Sequence, residues 1–219
     1  MKKNILTKNQ LRFLESASKD DFLKKSFYLT GGTALAGFYL RHRLSEDLDF
    51  FSEKEFDAAY INIFLKKNKK FLGVVSVDFQ QSFNRNLFFL KLKNETLKTE
   101  FTYFPFPRIS DSEEKLGVPI DSIIDIAVNK LFTIYQRNAA RDYIDLYCIV
   151  KKYHWSIDEL IKKAKIKFDW HIDPLQLGTQ FVKAQTVSDF PVMVQKISAE
   201  EWRSFFTKEA EKLKSKVIK

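Results

Sequence analysis

The sequence predicts an α+β protein: a mixed β-sheet flanked by helices, followed by a helical C-terminal half. Three observations carry this reading. Helical and strand periods alternate over residues 8–69, β-rich runs succeed one another over 71–104, and after Pro119 the apolar spacing returns to that of a helix. The chain has 219 residues, 45% of them apolar, with six Gly and five Pro, so it can bury a core and has too few breakers for a disordered or linker-rich protein.

Leu11, Leu14, Ala17 and Phe22 recur at near-helical spacing and predict a helix over 8–25. Phe27-Tyr28-Leu29 reads as a short buried strand that ends at Thr30-Gly31-Gly32. Helical spacing resumes over Thr33 to Arg41, Leu48-Asp49-Phe50-Phe51 is a second strand, and 55–69 is an amphipathic helix. FLGVVSVDFQ (71–80), LFFLKL (87–92) and TLKTEFTYF (96–104) are strands of one sheet, with hairpin turns at Asn84-Arg85-Asn86 and Asn94-Glu95. Ile123, Ile124, Ala127, Leu131, Ile134 and Tyr135 share one helical face, RDYIDLYCIV (141–150) is a second helix, and the rest reads as helical. Ser198 and Glu201 have capping-box spacing and start a last helix that runs into the basic tail KLKSKVIK. The organisation is an α/β part, 1–118, and a helical part, 119–219.

Thirty-seven Lys and Arg against 28 Asp and Glu give a net charge of +9, which permits an anionic partner. Residues 61–99 hold eight bases against Asp78 and Glu95, a local +6, so this segment is either a landing surface for such a partner or a solvated face. The single cysteine, Cys148, excludes an internal disulfide and a cysteine-based zinc cluster, and within DLYCIV it reads as a buried thiol. With no apolar segment after Met1-Lys2-Lys3 and no membrane-length apolar run, a cytoplasmic protein is expected.

Two motifs carry chemistry. Gly31-Gly32-Thr33 stands where a strand ends and a helix begins; such a glycine pair is a tight turn or a backbone cradle for a phosphate. In Asp47-Leu48-Asp49 the two carboxylates share one strand face, which is a solvated edge or a pair held together by a divalent cation. Together they place a phosphate cradle and metal ligands at the same end of adjacent strands. On the helices, Lys130 and Arg137 share a face, and Arg141 and Asp145 are able to pair at i,i+4.

YLTGGTALAGFYLRHRLSEDLDFF resembles the opening of the AbiEii/AbiGii toxin-type nucleotidyltransferases, within the DNA polymerase β-like superfamily. The later motifs follow in the family's order: Glu100 in KTEFTYF, Lys130 in IAVNKLF, and Arg141-Asp142-Tyr143-Ile144-Asp145. The family pattern puts an aspartate at the third acidic position, where Glu100 stands, with Asp78 one hairpin earlier as the alternative. The resemblance implies a nucleotidyltransferase-like sheet in a catalytic core, with the helical region completing the active-site cleft. It implies metal-dependent transfer of a nucleoside monophosphate from an NTP to an acceptor hydroxyl, with release of pyrophosphate. Asp47, Asp49 and Glu100 would hold magnesium at a two-ion site that manganese can also fill. Gly31, Gly32, Thr33, Lys130 and Arg141 would bind the nucleotide, and Lys130 and Asp142 would also be catalytic, with Asp145 behind them. The implied setting is the toxin of a type IV toxin–antitoxin or abortive-infection pair, with RNA or tRNA as acceptor, a cognate antitoxin as partner and no membrane. The alternative is a catalytically eroded nucleotide- or nucleic-acid-binding protein of the same fold.

Overall fold

The computed structural model describes residues 5–217; Met1-Lys2-Lys3 and the last two residues of the basic tail lie outside them. Two compact units emerge. The first runs through Tyr39 and includes Leu44–Pro107 and Asp111–Ser122; the second comprises Leu40–Arg43, Arg108–Ser110 and the chain from Ile123 onward.

The first unit opens with α1 (Lys8–Ser18) and α2 (Asp21–Ser26), where one helix was expected. The break has a local cause: Asp20 accepts a hydrogen bond from the Leu23 amide and caps a new helix, which competes with continuation of the first. β1 (Tyr28–Thr30) leads through α3 (Gly31–Ala34) and a π-helical turn, Leu35–Leu40, to β2 (Leu48–Ser52). α4 (Ala58–Leu72) extends past the expected end and takes up the start of the FLGVVSVDFQ run, because the stop is Gly73, in the left-handed region at φ 69°.

β3 (Ser76–Ser82), β4 (Arg85–Lys91) and β5 (Thr96–Tyr103) form a meander, and β6 (Glu113–Lys115) with β7 (Val118–Ile120) adds a hairpin that sequence patterning did not separate from the loop. Among the described residues the sheet has seven strands in the order β3-β4-β5-β2-β1-β7-β6. β2–β5 and β1–β7 are parallel and the other pairs antiparallel, so the sheet is mixed, as expected. The β3–β4 turn is Phe83-Asn84, one residue earlier than expected, since Ser82 pairs with Arg85.

The alternation along β2 decides what each face of the sheet does. Leu48, Phe50 and Ser52 are buried on one side, and Asp49 and Phe51 are half-buried on the other. On the buried side Phe50 stacks on Phe101 at 5.0 Å, Phe13 of α1 packs on Phe50 at 5.8 Å and on Phe64 of α4 at 5.6 Å, and Phe27 and Phe88 meet Phe101 edge-on. Phe101 is fully buried at the centre of this cluster. Phe101→Ala is therefore expected to lower stability by about 3–5 kcal/mol, read as an earlier urea midpoint at unchanged slope; a loss under about 1 kcal/mol would contradict this packing.

The second unit is helical: α5 (Ile123–Gln136), α6 (Ala140–Tyr153), α7 (Ile157–Phe168), α8 (Pro174–Val182), a 3₁₀ turn, and α9 (Ala199–Val217), which begins one residue after the expected Ser198 cap. Residues 186–198 are not helical, apart from the expectation that everything after 150 would be. Tyr143, Phe181, Trp202 and Phe206 form its aromatic core. A fully buried pair, Lys167 and Asp125, ties α7 to α5 at 2.6 Å, and Asp125 also accepts the amides of Ile109 and Ser110. No helix among the described residues is long and apolar enough to cross a membrane.

Candidate active site

In the first unit, antiparallel pairing of β1 with β2 sets Thr30 opposite Asp49, which brings the glycine turn to the acidic pair. Gly31 lies at φ 71°, and a Cβ there would sit 2.5 Å from Asp49 Oδ2, so both backbone sign and space demand glycine. The Thr33 hydroxyl donates to the Asp47 backbone carbonyl. Thr33 is buried and its proton is directed at Asp47, so its role here is to fasten the helix start to the acidic strand. Beneath the turn, Thr30 Oγ1 donates to the buried Asp121 carboxylate at 2.6 Å, a residue that sequence reasoning passed over.

Parallel pairing of β2 with β5 puts Glu100 directly beside Asp49 on the same face. Asp78 lies on the exposed edge strand β3, opposite Phe89 of β4 and two strands from β5, so Glu100 is the acidic residue in register with the pair. Two cations are interleaved. Lys98 Nζ donates to Asp47 Oδ2 at 2.8 Å, and Arg85 grips both oxygens of Glu100, Nε to Oε1 at 2.6 Å and Nη2 to Oε2 at 2.7 Å. The Thr102 hydroxyl adds a third bond to Oε1 at 2.9 Å. Burial alone would raise the Glu100 carboxyl, but Arg85, Thr102 and Lys98 outweigh it and hold the group below the usual carboxylate range.

The chemistry of this donor set suits one divalent ion. Asp47 and Asp49 are both half-buried acids at a strand start, and magnesium takes one or two carboxylates with waters and phosphates. Glu100 differs, because both its oxygens already accept charged donors. Among the described residues no three His, Cys, Asp or Glu side chains gather as a metal cluster.

The second unit holds a separate buried cluster. Asp145, fully buried, accepts from Arg43 Nε and His42 Nε2 at Oδ1 and from Arg43 Nη2 and Lys130 Nζ at Oδ2, each at 2.7 Å. Lys130 Nζ also donates to Asp142 Oδ1 at 2.7 Å, and Arg137 reaches Asp142 Oδ2 at 3.1 Å. Burial would raise the Asp145 carboxyl, yet Lys130 and Arg43 hold it well below its ordinary value; burial would lower Lys130, yet Asp145 and Asp142 raise it. The structure thus joins Lys130, Asp142 and Asp145. Arg141 is exposed and outside this network, and the i,i+4 pairing open to it is replaced by Arg43, to which sequence reasoning gave no role of its own. His42 is buried against Asp145. Burial pushes the Cys148 thiol up to about 12, which leaves no thiolate for nucleophilic chemistry near neutral pH.

The profile of a family described as "Nucleotidyl transferase AbiEii toxin, Type IV TA system" matches residues 12–216. An uncharacterized protein of Aquifex aeolicus (strain VF5) is 34% identical over 146 residues, which span 65% of this chain and 66% of that protein's length. The fold is similar to that of JHP933 from Helicobacter pylori, with TM-score 0.61, 23% identity and coverage of 95% of this chain and 90% of the other. It is also similar to MenT4, a nucleotidyltransferase toxin of Mycobacterium tuberculosis H37Rv, with TM-score 0.59, 15% identity and coverage of 93% and 82%.

Proposed function

We propose, from the premise that this chain belongs to the AbiEii family of type IV toxin–antitoxin nucleotidyl transferases, that it transfers the nucleoside monophosphate of an NTP to an RNA hydroxyl, tRNA ends included, and releases pyrophosphate. The observation that supports this most is the approach of the Gly31 backbone to the Asp49 carboxylate, which unites a phosphate-cradling turn with a pair of metal-binding acids.

In this reading Asp47 and Asp49 hold magnesium, which supplies charge neutralisation at the phosphates. The Gly31 and Gly32 amides bind phosphate oxygens where no side chain intervenes, while Thr33 keeps Asp47 in place through its carbonyl. Lys130 and Arg141 are the cations that this reading assigns to the triphosphate. Asp142 and Asp145 hold the Lys130 ammonium in one position, so that its charge need not be ordered when substrate arrives. With Arg85 and Lys98 paired at the site, residues 61–99 still hold six Lys against Asp78 and Glu95, an excess that favours a polyanionic acceptor. A cognate antitoxin and a cytoplasmic location belong to the same proposal.

The test is to incubate the protein with each α-labelled NTP, magnesium and total cellular RNA. Label on a discrete RNA, lost when magnesium is chelated, is the expected result. Magnesium-dependent NTP binding without label on RNA, protein or small acceptors would instead assign the chain as a binding protein of the same fold.

A further inference from the structure

Arg85 was expected in a turn, yet it opens β4, pairs with Thr102 of β5, and reaches along that strand to the carboxylate of Glu100. The pairing is a two-point fork at 2.6 and 2.7 Å, the geometry in which guanidinium matches carboxylate best. Glu100 is 5% exposed, whereas the Arg85 side chain is 54% exposed, so the carboxylate is the buried anchor and the guanidinium the accessible end. Glu100 lies in register with Asp49, which brings this positive charge close enough to Asp49 for the two to attract.

Resting on the nucleotidyl-transfer reading, we propose that Glu100 is a positioning residue for Arg85 and not a metal ligand: the site takes one divalent ion, on Asp47 and Asp49, and Arg85 is its fixed second cation, directed at substrate phosphate. A second ion on Glu100 would have to displace the guanidinium from both oxygens and the Thr102 hydroxyl from one. A guanidinium presents donors to phosphate oxygens directly and is more weakly hydrated than an ammonium.

The experiment counts Mn²⁺ bound to the intact protein by electron paramagnetic resonance, with a non-hydrolysable NTP at saturation. One tightly bound ion per chain is expected in wild type and unchanged in Glu100→Gln. Arg85→Ala and Arg85→Lys are expected to keep that ion while turnover falls about 10²-fold, since a lysine cannot reproduce the fork. Glu100→Gln should lower turnover in the same way and leave KM for NTP nearly constant. Circular dichroism melts identify any variant that fails to fold. Two tight ions in wild type, falling to one in Glu100→Gln, would overturn the proposal and leave nucleotidyl transfer standing. Absence of both Mn²⁺ and nucleotide binding in folded wild type would overturn the functional reading, and this inference with it.

Discussion

Asp49→Asn is expected to lower nucleotidyl transfer by about 10³-fold or more with little change in thermal stability. The substitution keeps the size of the side chain, so it still fits against Gly31, where there is no room for anything larger. What it removes is one of three negative charges ranged along a single sheet face. In the free protein those charges repel, Asp49 from Asp47 on its own strand and from Glu100 across the ladder. Neutralising one removes that repulsion together with the attraction of Arg85 for Asp49, so the melting temperature should move little while the chemistry fails. Steady-state transfer and a melt on the same preparation check both halves. Retention of activity within tenfold would remove Asp49 from the metal-binding role. Gly31→Ala should lose activity for another reason: it adds strain at a positive φ and pushes the Asp49 carboxylate out of place, so stability falls as well.

Asp145→Asn should lower stability by about 3–5 kcal/mol, because it leaves Lys130 and Arg43 as buried cations deprived of their shared carboxylate. The pH dependence has a defined sign. Asp142 and Asp145 titrate below the unfolded carboxylate value of about 4, so their contribution is complete above that pH and is lost as pH falls through the lower, folded values. Lys130 titrates above its unfolded value of about 10.4, so its contribution is complete below that pH and is lost as pH rises through the folded value. Wild type should thus be most stable on a plateau between these limits and decline in acid. Asp145→Asn should be less stable across the plateau and show a shallower acid decline. Urea denaturation at several pH values measures this, and equal acid slopes in the two proteins would contradict the charge network drawn around Asp145.

How far the sequence could be read depended on the distance over which each feature is determined. The split of the first helix at Asp20 turned on a capping bond against a continuous apolar period, and the period alone pointed the wrong way. The turn at Phe83-Asn84 illustrates the same limit. Asn84-Arg85-Asn86 carries the turn-forming composition, yet cross-strand packing of Asn86, Phe88 and Leu90 against β5 drew Arg85 into the strand and left Phe83 fully exposed at φ 50°. Lys98 and Glu100 could have been assigned to one face by strand period, and with that step the cations among the acids become legible.

The order of strand, glycine turn, helix and acidic strand was settled by the chain itself, as was the side of the sheet on which Asp49 and Phe50 fall. These are local matters, governed by a period of two or 3.6 residues and by the few conformations open to Gly31. The partner of each charge was decided only by tertiary packing. Glu100 meets Arg85 across a hairpin, and Asp145 meets His42 and Arg43 from about a hundred residues away in sequence. A buried carboxylate must be matched by whichever donors the packed elements bring to it, and no local period says which those are.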